Sequence, residues 1–410
     1  MSRAIPRPVG PLLAGLAWLA LLAGGCAPRR AAERPAVTFW TAFPRAAVEP
    51  LVARFHAANP GIRVELRQLP KAAIADSARA ALAAGRPPDL CQLAGGSLGE
   101  WLADGSLSDW SAGVADLRGE LRGWEQCMVG DAIYGLPWTL SAPVLVFERG
   151  LFARAGLDSA RAPATWAEVR AAAQALRRLP GVHGLGLAWG SPAERSASWL
   201  PWALVNDGGL PGPGPDSSRF ARAENAQALE FLASLRPALL LAPRDSLERA
   251  FVAGRLGMLL ADATLAEAAE RAGRHPGAGL VPRPAEASGL SASPASGAVL
   301  VSFTHSRRKE DALRLARSLV EPASAFALLA TVPGALPARA DAESALAGRP
   351  FAAIVLRQLV TARYAPRGRG GAALEARLGA AVADVVEGRA AAAAALAAVD
   401  SGAASPRAGR

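Results

Sequence analysis

Tyr134-Gly135-Leu136-Pro137-Trp138, then Val144-Leu145-Val146-Phe147, Leu151-Phe152-Ala153-Arg154-Ala155-Gly156-Leu157 and Pro163-Ala164-Thr165-Trp166-Ala167-Glu168, form the stretch on which the fold is read. Two aromatics around a Gly and a Pro suit a loop at a strand end, where an indole could face a ligand. The apolar run Val144–Phe147 is too short for a helix and reads as a strand crossing between two bodies. Leu151–Ala155 is a helical turn closed by Gly156 at the left-handed position. Thr165 then caps a new helix, with Glu168 three residues on as the reciprocal partner of a capping box.

Working outward, Val37-Thr38-Phe39-Trp40 reads as a strand, and Val48, Leu51, Val52 and Phe55 recur with helical spacing until Asn59-Pro60-Gly61 stops them. Ile62–Leu66 is the next strand, Lys71–Ala84 the next helix, Asp89–Leu93 a third strand and Leu98–Ala103 a third helix. Strand and helix alternating at these lengths predict an α/β fold, a parallel sheet with helices on both faces. In such a sheet ligands approach the carboxyl ends of the strands. Those ends are Thr41-Ala42-Phe43, Gln92-Leu93-Ala94-Gly95 and Pro137-Trp138. Gly208–Ser218 reads as a surface loop, and the alanine-rich Arg389–Ala398 as a helix.

At the amino end, Arg3 and Arg7 precede an apolar run from Pro11 to Ala23 that stops at Leu22-Ala23-Gly24-Gly25-Cys26. A run this short does not span a bilayer, and small residues before a Cys suit lipoprotein processing. Residues 1–25 are therefore expected to be a signal peptide, Cys26 the lipidated first residue, and residues 26–35 a tether on the periplasmic or cell-surface face of a bacterial membrane. The net charge of +10 becomes +8 without Arg3 and Arg7. Nearly all of it is arginine, spread without the dense, aromatic-interleaved basic patch a nucleic-acid binder needs, so nucleic acid is not expected as a partner. The remaining cysteines, Cys91 and Cys127, could form a disulfide outside the cytoplasm, worth about 3 to 4 kcal/mol, or stay as two buried thiols. About 375 residues of folded chain exceed what one core fills, so two lobes are expected.

Sugars are held by aromatic faces and by planar or charged polar groups in a preformed cleft. Trp40, Trp138, Trp189, Trp199 and Trp202 fall at predicted strand ends or loops, and as a set they favour a cleft. Trp101, Trp110, Trp124 and Trp166 sit in helices or turns and read as packing. Thr41, Gln92, Ser97, Ser141, Glu194, Asn206 and Asp262 are the polar candidates, each with a cap or turn role as its alternative. Gly95-Gly96-Ser97-Leu98-Gly99 fits G-x-S-x-G between strand and helix, with His275 or His305 downstream, which makes a Ser97-dependent lipoprotein esterase the competing reading. The upstream oxyanion loop of that class is missing, and glycine-rich chains produce the spacing by chance. His56, His183, His275 and His305 form no metal-ligand spacing, and no Walker A sequence is present. No catalysis, metal or cofactor is expected.

These residues resemble the family 1 extracellular solute-binding proteins, the maltose-binding-protein-like receptors of ATP-driven sugar importers. Their Tyr-Gly-Leu-Pro, Leu-Phe-x-x-Ala-Gly-Leu and Pro-x-Thr-Trp runs are matched, with Phe147-Glu148-Arg149 departing from the usual Tyr-Asn-Lys. Phe251–Leu259, Gly297–Ser302 and Val332–Pro337 extend the resemblance over residues 36–400. It implies a type II periplasmic-binding-protein fold with a hinge and an interlobe cleft. Lobe 1 would hold residues 36–141 and 290–340, lobe 2 residues 142–289 and 341–400, with 401–410 a disordered tail. It implies ligand contacts near Trp40, Gln92, Trp138, Ser141, Trp199, Asp262 and Gly297, to which the sheet edge adds Thr41. It further implies a monomer that binds a sugar or polyol and delivers it to permease subunits in the membrane. Where many sugar receptors carry Gly-x-Trp this chain has Asp262-Ala263-Thr264, and no aromatic stands at Leu374–Arg377. Those absences keep a third reading open, a receptor-fold scaffold or sensor without tight binding.

Overall fold

A computed structural model describes residues 36–210, 220–285, 291–332, 334–346, 348–364 and 371–402. The expected signal peptide, Cys26, the tether, residues 211–218 of the Gly208–Ser218 loop and residues 403–410 lie outside these. The strands are β1 (Val37–Thr41), β2 (Val64–Gln68), β3 (Leu90–Ala94), β4 (Met128–Val129), β5 (Ala132–Ile133), β6 (Leu136–Ser141), β7 (Val144–Glu148), β8 (His183–Ala188), β9 (Leu239–Ala242), β10 (Leu256–Ala261), β11 (Pro276–Gly279), β12 (Pro294–Val301), β13 (Leu336–Pro337) and β14 (Arg363–Tyr364). They build a first sheet in the order β13-β6-β12-β3-β1-β2, with β14 beside β12, and a second in the order β11-β7-β10-β8-β9.

The expected parallel pairing holds for β1 with β2 and β3. The first sheet is nonetheless mixed, because β12 runs antiparallel to both β3 and β6. The helix Arg45–Ala58 buries Val48, Leu51, Val52 and Phe55 as its spacing predicts. The next helix starts at Ile74 rather than Lys71, the intervening residues forming a turn. Of Tyr134–Trp138, read as a loop at a strand end, Leu136, Pro137 and Trp138 are instead the first half of β6. Pro137 sits opposite Val299, beside a register shift between Ala298 and Val299. A proline has no amide hydrogen for the ladder, and an irregularity of this kind accommodates it inside a sheet.

The central stretch folds as its local chemistry dictates. Gly156 (φ 73°) ends the helix Arg149–Arg154. Its N–H donates to Ala153 O at 3.1 Å and that of Leu157 to Phe152 O at 2.9 Å, the two bonds of a Schellman motif. The departure at Glu148 also has a local reason. Its buried carboxylate caps that helix, accepting from Leu151 N at 2.5 Å. Thr165 Oγ1 accepts from Glu168 N at 3.2 Å while Glu168 Oε2 accepts from Thr165 N at 3.2 Å, completing the capping box of the helix Trp166–Leu176. Thr165→Ala is expected to lower stability by about 1 kcal/mol, read from denaturant unfolding. A loss within error would mean that the loop 160–165 holds the helix start without the cap. At the far end Ser401, expected in the frayed tail, is the last residue of the helix Ala392–Ser401, which Gly402 closes in a left-handed conformation.

One hydrophobic cluster joins the first sheet to its helices, among them Phe39, Leu93, Trp138 and Val299. Another fills the helical side of the second sheet around Trp199, Trp202 and Phe231. A third lies around β7 and β10 and includes Leu336 of β13 and Leu329 of the helix Pro322–Thr331. The chain therefore passes between sheets through Ala142-Pro143, between β11 and β12, and again after β13, returning at β14 to pair with β12 before the last helices pack on the second sheet.

Candidate functional site

Strand directions decide where the two sheets meet. β6 runs antiparallel to β12, as β3 does, so the carboxyl ends of β1, β3 and β6 share one edge with the start of β12. In the second sheet β8, β9 and β10 are parallel, and Ala261 at the carboxyl end of β10 pairs with Val144 at the start of β7. Ala142-Pro143 thus links the carboxyl edge of one sheet directly to that of the other. The two edges face each other across the link.

On the first edge, Thr41 Oγ1 donates to Gln92 Oε1 at 2.6 Å, and Ala42 N donates to the same oxygen at 2.9 Å. Phe43 N in turn donates to Thr41 Oγ1 at 3.1 Å. Both side chains are buried, and the network fixes the amide plane of Gln92 from the next strand but one in sequence. Phe43 packs on Trp138 with ring centroids 4.9 Å apart. Ser141 is half-buried opposite Ser296, and Gly297 stands opposite Leu140.

The tryptophans divide differently from the expectation. Trp138, at 1 % exposure, and Trp199, at 0 %, lie in the cores of the first and second sheets, as does Trp202. Trp199 Nε1 donates to Asn225 O at 3.4 Å, inside the packing of the helices Pro192–Leu204 and Ala223–Ser234. Trp138 and Trp199 therefore present no open face to a ligand, because their indoles are what the neighbouring helices and strands close upon. Trp40 is partly exposed, with the Arg67 guanidinium 4.6 Å from its ring centre. Trp189 is partly exposed at the carboxyl end of β8, its Nε1 donating to Glu387 Oε1 at 2.9 Å. Trp101, Trp110 and Trp124 are buried, and Trp166 stacks on Phe231 at 4.5 Å.

Several polar candidates take up the local roles open to them. Asp262, at the end of β10, caps the helix Ala263–Arg271, its Oδ1 accepting from Thr264 N at 3.1 Å and from Thr264 Oγ1. Glu194 accepts from Gly190 N at 2.6 Å and from Arg244 N at 3.3 Å. Asn206 donates to Glu224 O and Gln227 Oε1, both at 2.9 Å. Ser97 Oγ donates to Ala94 O at 2.8 Å. The His305 ring is paired with Thr304 Oγ1 at 3.2 Å, and His275 meets Glu148 through its backbone N–H. No triad is assembled at Ser97 from the described residues. Cys91 and Cys127 are buried and unbridged. Burial pushes the Cys91 thiol well above its usual range, which keeps it an unreactive core residue.

Sequence reasoning passed over Gln126 and Glu248. Gln126 is 3 % exposed, and its Oε1 has no hydrogen-bond partner among the described residues. It lies where side chains are absent at Gly95 and Gly297: a Cβ on Gly297 would come 3.2 Å from Oε1, and one on Gly95 would overlap it. The only advance signal was a pair of glycines, one in the turn after β3 and one on β12, which no local pattern connects. Glu248 lines a groove between the helices Arg244–Val252 and Ala263–Arg271. Burial raises its carboxyl above the usual range, with Arg244 opposing the shift and Asp262 reinforcing it.

The profile of the bacterial extracellular solute-binding proteins matches residues 50–349. An uncharacterised lipoprotein from the oleD 5′ region of Streptomyces antibioticus is 30% identical over 185 residues, 42% of this chain and 40% of that protein. The chain thus matches about two fifths of the length of that relative. Among solved structures, an ABC transporter solute-binding protein of Thermotoga lettingae bound with alpha-D-tagatose superposes with a TM-score of 0.78 at 22% identity, covering 90% of this chain and 98% of its own. The sugar-binding protein MalE of Xanthomonas citri superposes with a TM-score of 0.76 at 24% identity, covering 90% and 96%.

Proposed function

The chain belongs to the bacterial extracellular solute-binding proteins and has the two-lobed, maltose-binding-protein-like fold, and from that premise we propose that it binds a sugar or related polyol between its lobes and hands it to a membrane permease of an ATP-binding-cassette importer. The observation that carries this reading is the pair of facing carboxyl edges with the Thr41–Gln92 network set on one of them. Both hydrogen bonds that the Gln92 amide makes among the described residues use Oε1, so its Nε2 hydrogens are the groups left to meet a ligand hydroxyl. Trp40 supplies the partly open aromatic face on that side, and Trp189 the one on the opposing edge.

The lobes in this reading are residues 36–141 with 290–340, and 142–289 with 341–400. A ligand touching both edges has a higher affinity for the closed arrangement and shifts the hinge equilibrium toward it. Cys26 carries the lipid anchor that keeps the receptor beside its permease, and the protein acts as a monomer without catalysis. The lipoprotein relative in Streptomyces antibioticus and the sugar-bound structural neighbours support this assignment.

A thermal-shift screen of monosaccharides, polyols and short oligosaccharides tests it. A specific ligand at one hundred times its Kd is expected to add about 2.7 kcal/mol of stability, and small-angle scattering should show compaction at the same concentration. A saturable shift with unchanged dimensions would refute hinge closure. A hydrolysed ester that depends on Ser97 would move the assignment to the esterase.

A further inference from the structure

We infer that Lys71 and Glu248 are positioning residues that meet across the cleft when the lobes close, and so set how tightly a ligand is held without touching it. The inference rests on the receptor reading above. Lys71 is exposed in the turn that follows β2, and β2 runs parallel to β1, so it stands on the same carboxyl edge as Thr41. Leu69 N donates to Thr41 O at 2.9 Å, which ties that turn to the edge. Glu248 lies one turn into the helix Arg244–Val252, which begins just after β9 at the carboxyl edge of the second sheet. Counted outward from the Ala142-Pro143 link on the β12 and β10 side, β2 is the last strand of the first sheet and β9 the last of the second. Walls that swing about the link move most at the strands farthest from it, so a contact made there responds to closure.

Charge favours the meeting. Neither the Lys71 nor the Glu248 side chain has a hydrogen-bond or ion-pair partner among the described residues, yet the two are close enough for the ammonium to act on the carboxyl. The other charged groups around Glu248 are engaged. Arg244 donates to Leu260 O at 2.8 Å, Arg249 to Ser246 Oγ at 3.0 Å and Arg271 to Glu267 O at 3.1 Å, while Asp262 holds Thr264 N. Burial raises the Glu248 carboxyl, Arg244 and Lys71 oppose the shift, and Asp262 and Asp245 reinforce it; of these groups only Lys71 comes from the first lobe. The other side of the same groove already touches that lobe, since a Cβ on Gly334 would overlap Thr264 Cγ2. The groove is thus in contact at Thr264 and unjoined at Glu248, as expected of walls that close by turning about their touching side. Closing brings the ammonium nearer and lowers the proton affinity of the carboxyl. The contribution of the pair is therefore complete above the open-form titration of Glu248 and is lost as pH falls through the closed-form one, so ligand affinity should weaken toward acid.

Lysine occurs only at positions 71 and 309, which makes coupling of an amine to a carboxylate selective in this chain. A water-soluble carbodiimide joins such groups only where they touch. With the wild-type protein it is expected to yield a peptide linking Lys71 to Glu248, identified by mass spectrometry, and less of it at high salt. No link, or a link from Lys71 to a different acid in its place, would overturn the pair. Affinity is then read by thermal shift with D-glucose, D-galactose, myo-inositol and maltose. For any of these that shifts wild type, Glu248→Gln and Lys71→Met should each weaken binding by about two- to five-fold and flatten its fall toward acid. The exchange Lys71→Glu with Glu248→Lys should bind more tightly than either single reversal, a rescue that a merely structural role would not give. Unchanged affinity and pH profile in both Glu248→Gln and Lys71→Met would overturn the inference while leaving the receptor reading in place. A Lys71–Glu248 link with no shift from any of these probes would sustain the pair and count against the sugar reading.

Discussion

Replacing Trp199 by alanine is expected to lower the unfolding free energy by about 3 to 5 kcal/mol and to leave ligand affinity within a few-fold of wild type. The indole is fully buried among the helices Pro192–Leu204 and Ala223–Ser234, so truncation removes both its transfer free energy and the packing of its neighbours. Asn225 adds to the loss. Its carbonyl accepts from the indole, while its side chain holds the loop through Gly209 N at 2.7 Å and Gly209 O at 3.0 Å. A helix pair loosened here weakens the seat of the segment that follows β8. Far-ultraviolet circular dichroism in guanidinium gives the stability, and titration with whichever sugar stabilises the wild type gives the affinity. The opposite pattern, intact stability with lost binding, would place Trp199 in the cleft.

Gly297→Ala should also destabilise, by about 1 to 3 kcal/mol or more. The added methyl would overlap the carbonyl oxygen of Thr139 on the neighbouring strand and come 3.0 Å from its carbonyl carbon. That neighbour is backbone inside a sheet and cannot rotate aside, unlike the end of a flexible side chain. Elsewhere in a strand alanine would gain about 0.5 to 1 kcal/mol over glycine from the unfolded chain; here the collision outweighs that gain. The substitution pries β12 from β6 close to the link between the sheets, so the expected loss of ligand affinity follows from the damaged edge. A Gly297→Ala protein as stable as wild type, with binding alone abolished, would instead mean that the glycine makes room for the ligand.

Both residues were expected to touch ligand, and both have a packing reason for their identity. The difference lies in what a linear pattern can carry. The capping box at Thr165 and Glu168, the left-handed Gly156 and the buried face of Val48, Leu51, Val52 and Phe55 involve residues within eight positions of each other, and all were legible. The same locality explains Asp262: a carboxylate two residues before a threonine at a helix start caps that helix, which was the plainer of its two readings. Tryptophan gives no such signal. An indole at a strand end is equally suited to a core and to a cleft, and the outcome at Trp138 and Trp199 depends on which distant helix covers it. Gln126 was invisible for a related reason, since the space it fills is made by Gly95, just past the end of β3, and Gly297 on β12, both far away in sequence.

By itself the sequence determined the alternation of strand and helix, the places where the chain punctuates, and the likeness to a receptor family. These follow from backbone preference and periodicity, which act over a few residues. Tertiary structure alone decided which edge residues stand together at the candidate site. It brought Thr41 to Gln92 across fifty-one positions, buried Trp138 and Trp199, left Trp40 and Trp189 partly open, and set Thr264 against Gly334. Each of those outcomes depends on how two separately formed surfaces close on one another, and steric exclusion between distant segments leaves no periodic trace in the chain.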